Sequence, residues 1–256
     1  ILSAELKEQN CKIQVFQHGG SYGLKNDTVN FFDKYLSDIF YCWGPPLSKK
    51  EKRIQPIELS RIKNINKNYN NRIIIPISLP SHLLKEISSG YACEVFDIYL
   101  KDLDIFLKNL DKLVLEKVTL RLQPQNFKNI FSRKELIRYF SRKYKEIEII
   151  EPKHKFKEDL KNYKFCVITI DSTTFLETLS SNIEFICFWR KNYNIHHKKF
   201  KKIYNKFYSS NLFFEDPKIA AMLVNENFLR KNKNYKKNNE KMISYLRKEL
   251  CSLPHS

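Results

Sequence analysis

The first residues in this sequence that could take part in chemistry are QHGGSYG, residues 17–23, which hold three of the five glycines of the chain. They follow an apolar run, KIQVF, that predicts a strand over 12–16. The glycines allow a sharp turn and a close approach of the backbone to a ligand. His18 could act as a base, as an acid or as a donor to a phosphate. An equally consistent interpretation is that His18 has no chemical role and only forms a hydrogen bond that stabilises the turn.

A second stretch, DSTTFLETL at 171–179, has the pattern of a helix that starts directly after an apolar strand. The hydroxyl groups of Ser172, Thr173 and Thr174, together with the backbone N–H groups of a first helical turn, are suited to bind a phosphate. A capping box would instead use Thr174 and Glu177 for the helix itself, and local chemistry alone favours such a cap. Glu177 is expected to face a cleft only if it does not cap.

Arg121 lies near the end of the apolar run KVTLRL at 117–122. Its guanidinium has the donor geometry for a phosphate or a carboxylate, although a surface ion pair is the common alternative. None of the six cysteines belongs to a CxxC pair, so the sequence predicts reduced, buried thiols in a cytoplasmic protein and no zinc site. His196 and His197 are predicted to begin a solvated helix rather than to bind a metal.

Strands and helices must position these residues. Along most of the chain, apolar runs typical of strands alternate with helical patterns. This alternation predicts an α/β fold, a Rossmann-like parallel sheet with helices on both faces. The polar residues that follow the strands should gather at one edge, because ligands bind outside the carboxyl ends of parallel strands. The predicted strands are 12–16, 39–43, 72–77, 117–122, 147–150, 165–170 and 184–189. The predicted helices lie at about 95–109, 132–144, 155–161, 174–181, 198–209 and 240–250, and another starts at Asp216.

The net charge of +18 raises the question of nucleic-acid binding. Such a protein would need a basic stripe interleaved with exposed aromatic residues, whereas most aromatic residues here fall at core-like positions. The abundance of Lys, Asn and Ile is typical of A/T-rich genomes, so composition bias is the expected main cause of the charge. A further contribution from an anionic substrate or a membrane surface stays open. No apolar run is long enough to span a bilayer, and no signal peptide is recognisable. The chain opens at Ile1 within a helix-like pattern, so a missing N-terminal part is expected.

Five blocks of the sequence together resemble a family of transferases from bacterial surface-carbohydrate gene clusters, associated with O-antigen-like polysaccharide. The blocks are QHGGSYG (17–23), SDIFYCWG (37–44), TLRLQP (119–124), DSTTFLETLSSNIEFICFW (171–189) and DPKIAAMLVN (216–225). The first and fourth blocks also resemble, more distantly, capsule sugar transferases and the glycerophosphotransferases of teichoic-acid synthesis. The resemblance covers roughly residues 12–228.

This resemblance implies the C-terminal lobe of a two-lobed GT-B glycosyltransferase. It implies that 1–46 form the end of an N-terminal lobe and an interlobe segment, and that 47–71 are a linker or surface excursion. Residues 72–228 would be a Rossmann-like donor-binding lobe, and 229–256 a basic C-terminal tail and helix. It also implies that an N-terminal lobe with acceptor contacts is missing from this chain.

The same resemblance assigns roles to individual residues. The helix start after residue 171 would hold a phosphate of the donor, Arg121 would face the phosphates, and Glu177 would lie near the sugar or the ribose. The catalytic candidates are His18 and Glu177. The candidates for binding the donor and its phosphate are Gly19, Gly20, Arg121, Ser172, Thr173 and Thr174.

The expected function is transfer of a sugar from a nucleotide-activated donor to a bacterial surface glycan, at the inner face of the membrane. No metal or other cofactor is expected, because basic side chains and helix dipoles stabilise the leaving phosphate in such enzymes. The expected partners are a nucleotide sugar and a glycan or lipid-linked acceptor, with peripheral membrane contact in addition and no nucleic acid. Two alternatives stay open: a phosphoglycerol or phosphosugar transferase that uses the same phosphate site, and a basic nucleic-acid-binding module.

Overall fold

The computed structural model describes residues 2–20, 29–64, 70–77, 93–123, 130–151, 154–181, 183–193, 196–230 and 233–253. Two parallel sheets with flanking helices make up this part of the chain. No helix within it combines the length and the apolar character needed to cross a bilayer. Among its cysteines, Cys42, Cys166, Cys187 and Cys251 are buried free thiols, whereas Cys11 is exposed, contrary to the expectation from sequence.

The larger sheet has six parallel strands in the order β6-β5-β4-β7-β8-β9. Counted from β4, this is the order 3-2-1-4-5-6 of doubly wound dinucleotide-binding sheets. The order reverses between β4 and β7, and that point is where such sheets bind ligands. The strands are β4 (Asn70–Pro76), β5 (Val118–Arg121), β6 (Glu148–Ile150), β7 (Tyr163–Ile168), β8 (Glu184–Phe188) and β9 (Phe213–Phe214).

Helices cover both faces of this sheet, as the apolar strand sequences predicted. Ile73, Ile74 and Ile75 are each 0% exposed, although consecutive strand residues point to opposite faces. Both faces must therefore be packed. α10 packs on α4, while α11 packs on α8 and α9. The helices are α4 (Cys93–Lys108), α5 (Lys112–Leu115), α6 (Ile130–Lys143), α7 (Phe156–Asp159), α8 (Thr173–Ser180), α9 (Lys198–Tyr208), α10 (Pro217–Arg230) and α11 (Lys233–Cys251).

The smaller sheet contains three short parallel strands in the order β1-β2-β3. Its elements are α1 (Leu2–Glu8), β1 (Gln14–Phe16), α2 (Val29–Leu36), β2 (Ile39–Cys42) and β3 (Glu51–Arg53). The range 47–71, for which no regular element was predicted, contains β3, then α3 (Ile57–Ser60) and a 3-10 turn (Arg61–Asn64). The sequence of β3 is polar because its one buried residue is Glu51, whose carboxylate accepts from the Leu47 N–H (2.8 Å) and pairs with Lys34 (3.2 Å).

The end of α11 connects the two sheets. Arg53 of β3 donates to the Ser252 hydroxyl (2.7 Å) and to the carbonyl of Lys248. At the other side, Arg247 donates to the carbonyls of Leu179 (2.6 Å) and Ser181, which are buried acceptors at the end of α8. Carbonyls at a helix end have no partner within the helix, so Arg247 satisfies them. α11 begins at Lys233, earlier than the predicted start at 240, since Tyr235 is buried and donates to the carbonyl of Phe185 (3.1 Å).

Candidate functional site

The glycine turn after β1 meets the first turn of α8. The Gly20 N–H donates to Oγ1 of Thr173 at 2.9 Å. A Cβ atom at Gly20 would lie only 2.6 to 2.8 Å from backbone atoms of Ser172 and Thr173. Backbone atoms cannot move aside as the end of a flexible side chain can. Glycine is therefore required at position 20 so that the smaller sheet can approach the helix start.

Gln17 holds this turn in place, although only its position beside the turn distinguishes it in the sequence. Its side-chain amide donates to the carbonyl of Gly19 (2.8 Å), and its side-chain oxygen accepts from the Trp43 N–H (2.8 Å). Its own N–H donates to the carbonyl of Tyr41 (2.8 Å). Gln17 is buried, so these bonds are shielded from water and fix the turn against β2 and the loop that follows it.

A cavity of about 480 Å³ opens beside this contact. Its polar lining includes His18, Lys155, Thr173 and Glu177. Its apolar lining consists of Phe16, Trp43, Ile54, Pro56, Ile57 and Leu59. Cavities with an apolar lining and a few convergent polar groups are the usual form of small-molecule sites. The structure thus brings three of the predicted site residues, His18, Thr173 and Glu177, into one space.

The start of α8 reaches this cavity through Thr173, whereas Ser172 and Thr174 are not among the lining residues. The helix begins at Thr173 with Ser172 as its N-cap residue, and no side chain caps it. The hydroxyls of Ser172 and Thr174 lie 2.8 Å apart and bond to each other. Since the first N–H groups of a helix lack partners within the helix and lie at the positive end of its dipole, this end is suited to an anion. It also lies directly after β7, where the strand order reverses.

Glu177 is one turn further along α8 and does not cap it. With Ser172 as N-cap, a capping box would require an acidic residue at position 175, which is Phe175, so that interpretation is excluded. No hydrogen bond or ion pair to the Glu177 carboxylate comes from the described residues. Burial raises its pKa to about 7, against the opposing effect of Lys157, Arg121 and Lys155. Near neutral pH, the group is therefore present in both protonation states.

Replacing Thr173 with Val should remove the acceptor of the Gly20 N–H while keeping the shape of the side chain. Because Gly20 is buried, we expect a loss of about 1–2 kcal/mol in the free energy of unfolding. Thr173→Ser keeps the hydroxyl and is the matched control. Urea unfolding of the two variants measures the difference, and equal stabilities would contradict a role for this hydrogen bond.

Arg121 was expected to face the donor phosphates, but it does not line the cavity. Its Nε donates to Asp159 (2.7 Å) and its Nη2 donates to the carbonyl of His154 (2.8 Å). The guanidinium also lies 5.2 Å from the ring centre of Phe156 and is 3% exposed. These contacts fix the segment that carries Lys155, and the charge of Arg121 acts on Glu177 through space.

Asp102 and Asp104 have the Asp-x-Asp spacing found in some metal-dependent transferases, and sequence reasoning missed them. Both lie on α4, and both carboxylates are neutralised by cations. Asp102 accepts two bonds from Arg190 (2.8 and 2.9 Å), and Asp104 lies 3.0 Å from Lys108. No three His, Cys, Asp or Glu side chains converge as metal ligands would, in the part of the chain that the structure describes.

His197 begins α9, as predicted: its Nδ1 accepts from the Lys199 N–H (3.3 Å). His196 differs from the prediction of a solvated position. Its ring is stacked on Tyr204 with centroids 3.6 Å apart, and its Nε2 lies 2.8 Å from the Tyr208 hydroxyl. His196 therefore belongs to the packing beneath α9.

Comparison with known proteins gives a family and a fold. The model of a family described as LIC12162 family transferase matches residues 1–230. No protein of curated function matched the sequence. Among solved structures, UDP-GlcNAc 2-epimerase of Methanocaldococcus jannaschii in complex with UDP-GlcNAc and UDP is similar, with a TM-score of 0.54 and 13% identity. That similarity covers 93% of this chain and 74% of the epimerase chain.

A second structure of the Methanocaldococcus jannaschii epimerase has a TM-score of 0.47 and 11% identity, over 86% of this chain and 65% of the other. The wall teichoic acid polymerase TagF has a TM-score of 0.44 and 13% identity, over 97% of this chain and 65% of its own. The similarity to the liganded epimerase, together with the strand order, confirms the predicted α/β fold of the GT-B type.

Proposed function

The chain belongs to the LIC12162 family of transferases, and we propose that it transfers a glycosyl group from a nucleotide-activated donor to a glycan of the bacterial surface. One observation carries the proposal: the glycine turn meets the start of α8 at the wall of a cavity that also holds His18, Lys155 and Glu177. The epimerase with a similar fold was solved with UDP-GlcNAc and UDP. This makes nucleotide sugars the first class of donor to test.

In the proposed reaction, the bond between the anomeric carbon and the phosphate oxygen breaks, and a bond to the acceptor hydroxyl forms. The leaving phosphate gains charge as the first bond breaks. The N–H groups at the start of α8, the hydroxyl of Thr173 and the ammonium of Lys155 surround the position where we place it. Preorganised donors and cations of this kind stabilise such charge without a metal ion or another cofactor.

The acceptor hydroxyl must lose its proton in this step. We assign that proton to His18, because it lines the same cavity as Thr173 and Glu177 of α8. We assign the ionised carboxylate of Glu177 to a hydroxyl of the donor sugar or ribose. A hydrogen bond to a charged group contributes about 1.5–3 kcal/mol, which is enough to orient the donor.

A thermal-shift screen with CMP, UDP, GDP, dTDP and CDP forms tests the proposal. A nucleotide at about a hundredfold excess over its Kd should stabilise the folded chain by about 2.7 kcal/mol, a rise in Tm of roughly 5–10 °C for a domain of this size. Lys155→Gln should reduce the shift, whereas Lys145→Gln, an exposed position outside the cavity lining, should leave it unchanged.

The products formed from a labelled donor then identify the reaction. Release of the free nucleotide with the sugar on the acceptor supports glycosyl transfer. Transfer of a phosphate together with the attached group would instead show the phosphoglycerol or phosphosugar reaction. Binding of none of these nucleotides would contradict a donor site in this cavity.

A further inference from the structure

The outward face of α9 is a continuous lysine surface, which we call the lysine face. The inward residues Phe200, Ile203, Tyr204 and Phe207 are buried against the larger sheet and α11. The exposed positions of the helix are all lysine apart from Asn205. The lysine face consists of Lys198, Lys199, Lys201, Lys202 and Lys206. None of these lysines makes an ion pair with a carboxylate of the described residues.

This arrangement lowers the stability of the helix itself. Lys198 and Lys199 occupy the first turn, where the positive end of the helix dipole disfavours cations, and that turn contains no acidic residue. Lys198 and Lys202 are four residues apart, as are Lys202 and Lys206, and like charges at that spacing repel each other. The stability of α9 therefore does not explain the lysines, although the Lys206 ammonium also lies 4.7 Å from the centre of the Tyr245 ring of α11.

Composition bias does not explain the lysine face either. The same bias acts on every helix, yet the other described helices of eight or more residues that carry a lysine also carry an acid. α4 has Asp97 near Lys101, α6 has Glu135 beside Lys134, and α11 has Glu240 beside Lys241. Only on α9, among the described helices of that length, does a lysine-rich surface occur without a carboxylate on the same helix.

The lysine face lies beside the candidate site. The ammonium of Lys199 donates to the carbonyl of Pro46 (2.8 Å), in the loop that follows β2. The same loop carries Trp43, which lines the cavity, and Gly44, where a Cβ atom would come within 2.7 Å of the Phe200 ring. The first turn of α9 is thus packed directly against a wall of the cavity.

We propose that the lysine face docks the protein on the anionic surface of a lipid bilayer. Each lysine near such a surface contributes about 1 kcal/mol of attraction, and the attraction decays within a Debye length. Since the apolar side of α9 is buried in the protein, the contact is electrostatic and reversed by salt. A nucleic acid fits the same charge less well, because Phe200, Tyr204 and Phe207 of α9 are buried and cannot stack on bases.

The inference rests on the proposed function in one respect: docking would hold the cavity close to a lipid-linked acceptor. The docking itself can be measured without donor or acceptor. The test variant is Lys198→Gln/Lys201→Gln/Lys202→Gln/Lys206→Gln, in which glutamine preserves helix propensity. The control variant removes the same number of positive charges at exposed positions outside α9: Lys101→Gln/Lys112→Gln/Lys134→Gln/Lys145→Gln.

Co-sedimentation with vesicles of phosphatidylcholine, with or without phosphatidylglycerol, measures binding at low and at high salt. We expect binding only to vesicles with phosphatidylglycerol, a loss of at least about tenfold in the test variant, and little change in the control variant. Equal losses in the two variants would show a general effect of net charge and overturn the proposal, as would an absence of vesicle binding.

The same proteins are titrated with duplex DNA and single-stranded RNA. Binding to these that exceeds binding to vesicles, and is lost in the test variant, would assign the lysine face to nucleic acid and overturn membrane docking. The nucleotide thermal shift is measured in parallel on the test variant and should stay unchanged. If the protein does not bind vesicles but its melting temperature still rises with the nucleotide, the docking proposal fails and the proposed function stands.

Discussion

Replacing Glu177 with Gln is expected to stabilise the folded chain above neutral pH and to slow the proposed reaction at the same pH. In the folded protein, the Glu177 carboxylate is withdrawn from water without a hydrogen bond from the described residues, and burial raises its pKa from 4.5 to about 7. An amide of the same shape has no charge to bury. It also lacks the charge that we assign to the donor hydroxyl, so we expect the rate to fall by about ten- to hundredfold.

The stability effect should have a defined dependence on pH. A raised pKa means that the folded state binds the proton more tightly than the unfolded state, so the contribution of Glu177 is fully favourable below 4.5. It is lost as the pH rises from 4.5 to about 7. The variant should therefore equal the parent protein in acid and exceed it above about pH 7 by up to about 3 kcal/mol, since one pKa unit corresponds to about 1.4 kcal/mol.

Urea unfolding of both proteins across this pH range measures the difference. Glu226→Gln, which changes an exposed glutamate on α10, is the control and should alter neither stability nor rate. A gain in stability without a loss of rate would show that Glu177 is merely buried. A variant that is less stable than the parent above neutral pH would contradict the conclusion that the buried charge of Glu177 destabilises the folded protein.

Gly20→Ala should have the second large effect. The new methyl group would lie 2.6 Å from the Thr173 backbone nitrogen, so the turn and α8 must separate. Overpacking of a rigid contact costs about 1–3 kcal/mol, and we expect a value of about 3 kcal/mol here because the opposing atoms are backbone. Nucleotide binding should weaken together with stability, since both depend on the position of the start of α8.

Gly19→Ala is the matched control for this experiment. A Cβ atom at Gly19 would meet Oγ1 of Thr173 at 3.6 Å, an ordinary contact. We expect its free energy of unfolding to stay within about 0.5 kcal/mol of that of the parent. Thermal unfolding with and without the nucleotide found in the screen compares the two variants. Equal tolerance of Ala at both positions would show that the turn does not need the close approach.

Much of this fold could be predicted from the sequence because its main strands are apolar and β-branched. Each of the seven predicted strands is present, with bounds shifted by at most a few residues. The helices from α4 onward follow the predicted alternation, apart from the short α5, which was not predicted. β3 was missed because its buried side chain is Glu51, and a strand without apolar residues has no recognisable period. β9 was missed because it has only two residues, Phe213 and Phe214.

Only part of the candidate site could be predicted from the sequence. The physical reason why a residue could or could not be predicted differs from residue to residue. Gly20 and the helix start at Thr173 are marked by local chemistry, so the sequence identifies them. Their mutual contact depends on tertiary packing, which local patterns do not contain. Arg121 was correctly placed at the end of a strand, but its partner Asp159 lies 38 residues further on. No local pattern tells whether such an arginine meets a ligand or a carboxylate of its own chain.

The contacts at the two ends of α8 have a consequence for the order of folding. At its start, Thr173 is bonded to Gly20, 153 residues earlier in the chain. At its end, Leu179 is bonded to Arg247, 68 residues later. Closing such long loops has an entropic cost that local helices do not have. The cavity is thus complete only after α8 has been synthesised and has met the glycine turn, so the emerging chain on the ribosome has no site to offer before then.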